Sequence, residues 1–151
     1  MTPLPQDQSV EPIPVSALLE KVDALRKQGY RLVQISATRL PDGLELTYSF
    51  ALEGRLAQFR LHLPDDNPRV PSISSIYWCA FLYENEMHDL FGLAVEGMAV
   101  DFKGTFYNTA IKFPFGSTKA PVAKPATTTA TSASSAPAPT PPPGSTTATA
   151  T

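Results

Sequence analysis

The sequence predicts an α+β domain: a two-layer sandwich of an antiparallel three- to four-stranded sheet and two helices, with an irregular C-terminal arm. Three observations carry this. Leu18, Leu19, Val22 and Leu25 fall at helical spacing near the N-terminus. A block of alternating apolar and polar residues follows, cut by tight-turn signals. A second helical run, dense in aromatic and acidic residues, then ends on Gly92.

The first helix is predicted over 15–28, behind Pro14 and with Gly29 just past its end. Three strands are predicted over 30–38, 44–52 and 55–63. Leu44, Leu46, Tyr48, Phe50 and Leu52 share one face of the middle strand, and Glu45, Thr47 and Ser49 share the other. Pro41-Asp42-Gly43 and Glu53-Gly54 are the turns. Such a meander has one wet face. The short run Val70–Ile73 is a candidate fourth strand. The second helix is expected to begin near Ser74 or Ser75 as a cap and to end at Gly92. Its core stripe would be Ile76, Ala80, Tyr83, Met87 and Leu90.

Composition bounds the rest. The chain has 151 residues, 42% hydrophobic and 17% charged, which suits one folded domain. Residues 1–13 are polar and Pro-rich and are read as a loose N-terminus. Residues 14–115 form the folded domain. Residues 116–151 are nearly all Ala, Thr, Ser and Pro, a composition that cannot bury enough apolar surface to offset chain entropy, and are read as a disordered tail. A net charge of −2 provides no footprint for nucleic acid. A single cysteine, Cys79, excludes a disulfide framework and any cluster held by this chain's thiolates alone. No apolar run is long enough to span a bilayer, and the N-terminus lacks the pattern of a signal peptide.

The segment YENEMHDLFG, residues 83–92, concentrates the ionisable chemistry: Glu84, Glu86, His88 and Asp89. On a helix, Glu84 and His88 face each other, and Glu86 and Asp89 lie on a neighbouring face. A metal site here would need a third ligand, and His62 is the only other histidine. A pair of catalytic carboxylates would need a cleft that so small a domain hardly provides. A solvated helix face with a weak Glu84–His88 pair is the simplest reading. Against it, Trp78, Phe81, Leu82 and Phe91 are interleaved with the acids after the core stripe has taken its share. Surplus aromatic surface beside charge is the composition of a subunit interface.

The stretch Glu84-Asn85-Glu86-Met87-His88-Asp89-Leu90-Phe91-Gly92, with Val70–Ile73 before it and Gly97 after it, resembles the signature of the C-type hydrophilic subunit of NADH–quinone oxidoreductase, respiratory complex I. That signature reads Glu-Arg-Glu-x-x-Asp-x-Phe-Gly. The likeness spans about residues 15–115 and includes the helix and meander. Two departures stand out. Asn85 occupies the family's arginine position, and residues 100–107 and 111–115 replace a basic stretch with paired arginines. In these features the chain looks more like the corresponding small subunit of Ech-type membrane-bound NiFe hydrogenases. The resemblance implies a non-catalytic subunit with no cofactor of its own, NiFe and iron–sulfur centres being carried by its partners. Those partners would be a large catalytic subunit and a cluster-bearing small subunit, on the cytoplasmic face of a membrane arm the chain does not enter. Glu84, Glu86 and Asp89 would then accept hydrogen bonds from a partner's Arg or Lys or from the chain's own arm. Trp78, Phe81 and Phe91 would be interface anchors, and Gly92 would turn the chain into the arm. A free-standing protein-binding module and a small enzyme using Glu84, Glu86 or Asp89 are the alternatives.

Overall fold

The alternation of residues 30–63 builds the centre of the fold. The computed structural model describes residues 8–116. In chain order these are β1 (Gln8–Pro12), a short 3-10 turn (Val15–Ala17), α1 (Leu18–Lys27), β2 (Arg31–Leu40), β3 (Gly43–Leu52), β4 (Arg55–Pro64), β5 (Arg69–Pro71), α2 (Ala80–Phe91) and β6 (Ala94–Glu96). β2, β3 and β4 form the expected antiparallel meander, joined through Leu40↔Gly43 and Leu52↔Arg55 pairs. Glu53 (φ 47°) and Gly54 (φ 81°) both take left-handed conformations in the second turn, which matches the right-handed twist of the hairpin.

A β-bulge in β2 between Leu32 and Gln34 shifts the register by one residue. Leu32 and Ile35, three apart, thereby both reach the core, and the extra residue, Val33, turns outward. The inner face carries Leu44, Leu46, Tyr48 and Phe50 of β3 against Phe59, Leu61 and Leu63 of β4. α1 adds Leu18, Val22 and Leu25, and α2 adds Ala80 and Met87, to the same apolar cluster. The outer face is wet, with Arg60 paired to Glu45 at 3.3 Å and Gln58 donating to Ser49 Oγ at 3.0 Å.

Two expectations are corrected. Within the supposedly loose 1–13, Gln8–Pro12 is a strand that pairs parallel to β4, so the main sheet is mixed, in the order β1-β4-β3-β2. Its composition hid it, since only Val10 is a strong strand former, and Pro12 is tolerated because the strand is an edge. Lys21 of α1 reaches Glu11 at 2.7 Å and ties the strand down. The candidate fourth strand does not join the main sheet either. Arg69–Pro71 pairs parallel with β6 in a separate two-stranded sheet, which Arg69 and Glu96 close at 3.0 Å. The tail read over 116–151 lies outside the described residues from position 117 onward.

Candidate functional site: the face of the second helix beneath the arm

α2 begins at Ala80, four to five residues later than a cap at Ser75 or Ser74 implied, and its N-cap is Cys79 without a side-chain cap bond. The serines are used elsewhere. Ser74 Oγ lies 2.6 Å from Ser72 Oγ and accepts the Ala99 N–H at 2.9 Å. Residues 74–79 instead make turns, with the Tyr77 N–H donating to Ile73 O at 2.8 Å. Tyr77 is buried against Phe50, ring centroids 5.4 Å apart, and its hydroxyl donates to Tyr30 O at 2.7 Å. At the other end Gly92 (φ 74°) caps the helix and donates to His88 O. A Cβ there would stand 3.1 Å from the Phe113 ring, so glycine is needed both for conformation and for space.

α2 is covered on two sides. Ala80 and Met87 face the sheet, with Tyr83 and Leu90 half-buried beside them. Glu84, beside the sheet-facing stripe, and Asn85 and Asp89, on the far side, are also buried, each with the side chain bonded to this chain's own backbone. Glu84 Oε1 accepts the Ile73 N–H at 2.8 Å, and Oε2 accepts from the Ser72 hydroxyl at 2.7 Å. Asn85 Nδ2 donates to Phe81 O at 2.7 Å and Val100 O at 2.8 Å, and Oδ1 accepts the Phe102 N–H at 2.9 Å. Asp89 Oδ2 accepts the Tyr107 N–H at 2.8 Å. His88 Nδ1 bonds to Leu93 O at 2.9 Å, so Glu84 and His88 bond to separate partners and the solvated Glu84–His88 pair does not form. Further on, Phe115 N–H donates to Leu90 O at 2.8 Å, and its ring packs on Phe91 at 5.6 Å.

This face is therefore a row of clamps. Successive turns of α2 hold Ser72–Ile73 in the loop before the helix and Val100–Phe102, Tyr107 and Phe115 of the irregular arm after it. A carboxylate accepting backbone N–H bonds is well suited to pinning irregular chain, since each bond satisfies a donor that no ladder provides. Among the described residues no cation lies beside Glu84. Burial pushes its carboxyl above the usual carboxylate range, and the bonds from Ser72 and Ile73 oppose that only in part. Burial also drives the neighbouring Tyr48 hydroxyl far above its ordinary value, the charge of Glu84 adding to the effect.

The seven residues singled out by sequence divide by direction. Glu84 and Asp89 point inward, Gly92 is the cap, and Phe91 lies half-buried under Phe115. Glu86 is half-buried beside Tyr83 and Leu90, in a groove against Gln34 and Ser36 of β2. Trp78 is 63% exposed and tilts against Phe81 at 5.7 Å. Sequence reasoning missed Ser72, Ser74 and the clamping role of Asn85. The Ser-x-Ser pattern directly after Pro71 was the available signal for the first two. Among the described residues no three His, Cys, Asp or Glu side chains gather on one point, and no helix is long and apolar enough to cross a membrane.

Residues 12–115 match the family described as respiratory-chain NADH dehydrogenase, 30 Kd subunit. The chain belongs to this family. The match takes in the last residue of β1, both helices, the meander and most of the arm. A chain in the structure of the membrane-bound sulfane sulfur reductase, described as an archaeal respiratory membrane complex, is similar at TM-score 0.63 and 22% identity, over 71% of this chain and 68% of that one. A trypsin-resistant fragment of Nqo5 is similar at TM-score 0.54 and 21% identity, over 60% of this chain and 80% of that one. Both likenesses are of fold. No curated protein matches the sequence. The chain is thus a 30 kDa-type subunit of the kind that respiratory membrane complexes contain.

Proposed function

We propose that this 30 kDa-type subunit is a non-catalytic assembly subunit of a membrane-bound, energy-converting NiFe hydrogenase related to complex I. It packs against the large catalytic subunit and the cluster-bearing small subunit. NiFe and iron–sulfur centres belong to those partners, and the chain is held at the inner face of the cell membrane through them.

One observation carries the choice within the family. Asn85, which stands where the family signature has arginine, is fully buried and binds Val100 and Phe102. Those residues belong to the stretch that replaces the family's basic segment. The two departures from the signature are thus one structural unit, a helix position and the arm segment fitted to it. Such a coupled change supports a distinct branch of the family over scattered drift. The outward apolar surface of Trp78, Phe81 and Leu82 supplies anchors for a partner, and half-buried Glu86 faces the groove against Gln34 and Ser36, where a donor can reach it. Asp89 Oδ1 is buried without a donor among the described residues, and Asp89 is turned to the arm through the Tyr107 N–H.

The test is affinity purification from the native membrane in mild detergent. Recovery of a large and a cluster-bearing small subunit together with nickel is expected. Flavin-containing subunits without nickel would instead favour a subunit of NADH–quinone oxidoreductase proper, which the family match itself also accommodates. A partner lacking metal centres would favour a free-standing binding module, and recovery of monomer alone would remove the subunit reading.

A further inference from the structure

We propose that a groove at the C-terminal end of α1 receives an acidic segment of a companion subunit, one that sets a carboxylate beside an apolar side chain. The inference rests on the subunit reading above and adds where, and with what chemistry, a partner docks. The groove is a depression of about 360 Å³ with a floor of Leu32, Ile76 and Tyr77 and a rim of Arg26, Arg31 and Trp78. Leu32 and Tyr77 belong to the core cluster, so the floor is fixed by the fold. Trp78 stands out from it, and Phe81 and the exposed Leu82 continue the apolar surface along α2.

The charges select the occupant. Lys21, Lys27, Arg39, Arg60 and Arg69 each pair with a carboxylate of this chain. Arg26 and Arg31, like Arg55, Lys103 and Lys112, are exposed and make no such pair among the described residues, and of these five only Arg26 and Arg31 line the groove. The Arg26 guanidinium lies 5.4 Å over the Tyr77 ring. That stacking limits its freedom and presents its donors at the groove edge. Two guanidinium groups over an apolar floor are complementary to a carboxylate whose neighbouring side chain fills the depression, and a planar fork suits bidentate binding. Glu84 and Asp89 of the acidic signature are buried and cannot supply that carboxylate from a second copy. Charge complementarity, together with the subunit reading, assigns the occupant to a companion subunit.

Cys79 lines the same groove, is exposed, and is the only thiol in the sequence. Its rate of reaction with N-ethylmaleimide therefore reads occupancy on the unmodified protein. In the detergent-purified complex Cys79 should react about tenfold or more slowly than in the isolated chain, as burial of an anchor residue requires. Arg26→Glu with Arg31→Glu should reduce recovery of companion subunits by about tenfold, whereas Arg60→Glu on the wet face should leave it unchanged. Thermal melts of the isolated variants separate weakened docking from misfolding, and the Cys79 readout needs no variant. A complex whose Cys79 reacts as fast as in the free chain overturns the groove proposal and leaves the subunit reading standing. An isolated chain that is dimeric with Cys79 protected identifies a second copy as the occupant and overturns it too. Failure to recover any companion subunit overturns both.

Discussion

At Glu84, two hydrogen bonds and a buried position hold a carboxylate with no cation to balance it. Its raised pKa means that the folded chain holds this proton more tightly than the unfolded one. The resulting stability is fully present below the unfolded carboxyl pKa, about 4, and is lost as pH rises through the raised folded value. Glu84→Gln keeps an acceptor for the Ile73 N–H and can donate to Ser72 Oγ. It should flatten that part of the stability–pH profile and leave stability at pH 8 within about 1 kcal/mol of the parent or above it. Urea denaturation at pH 5 and pH 8 measures this, and an unchanged pH slope would assign the proton to another group. Asn85 makes the opposite case. Its three bonds fill a site with no exposure, and Asn85→Arg, which restores the family residue, should cost about 3 kcal/mol or more. Hydrogen exchange should show the loss at the amides of 100–103, with β3 and β4 protected as before. A variant as stable as the parent would show that the arm and the helix position are not fitted to each other.

Among the elements, α2 and β1 depart most from the sequence reading. The end of α2 was legible, because Gly92 after Leu-Phe is a strong C-terminal signal. Its start was not, because Ser74 is as good a cap as any by local criteria, and only the contacts with Ser72 and Ala99 draw it away. Whether the acids of α2 face a partner or the chain's own arm stayed open for a similar reason. Carboxylates are seldom buried unless paired, and their pairing partners are backbone amides 11 to 18 positions away, of residues that show no periodicity. Trp78 and Phe81 were legible as surplus apolar surface because the core stripe of α2 was already complete without them. β1 was hidden by composition, and its partner in β4 lies about 50 residues on, so no local pattern announces a parallel edge pair. Deleting residues 1–12 removes this edge and leaves β4 with unpaired backbone groups. The shortened chain should melt several degrees lower and associate at micromolar concentration. Calorimetry and light scattering check this. A melt identical to the parent would mean that β1 contributes nothing to the sheet.

For the whole molecule, the buried cluster runs from Ile13 to Leu93, and the arm adds its clamps up to Phe115. A chain ending at Gly116 should therefore keep its melting temperature within about 2 °C of the full sequence, since a surface change away from such contacts shifts stability by half a kcal/mol or less. A larger fall would show that residues 117–151 hold part of the fold. The sequence by itself determined the fold class, the meander, its turns, the end of α2 and the family. Each of these is written in local periodicity or in a contiguous motif, and neighbouring residues alone specify it. Only the tertiary structure decided where the charges of YENEMHDLFG point. Glu84 bonds to the loop before the helix, and Asn85 and Asp89 to the aperiodic arm after it, so their burial depends on how both segments are laid against α2. The same folding that turns those acids inward leaves Trp78, Arg26 and Arg31 outside, and there the chain meets its surroundings.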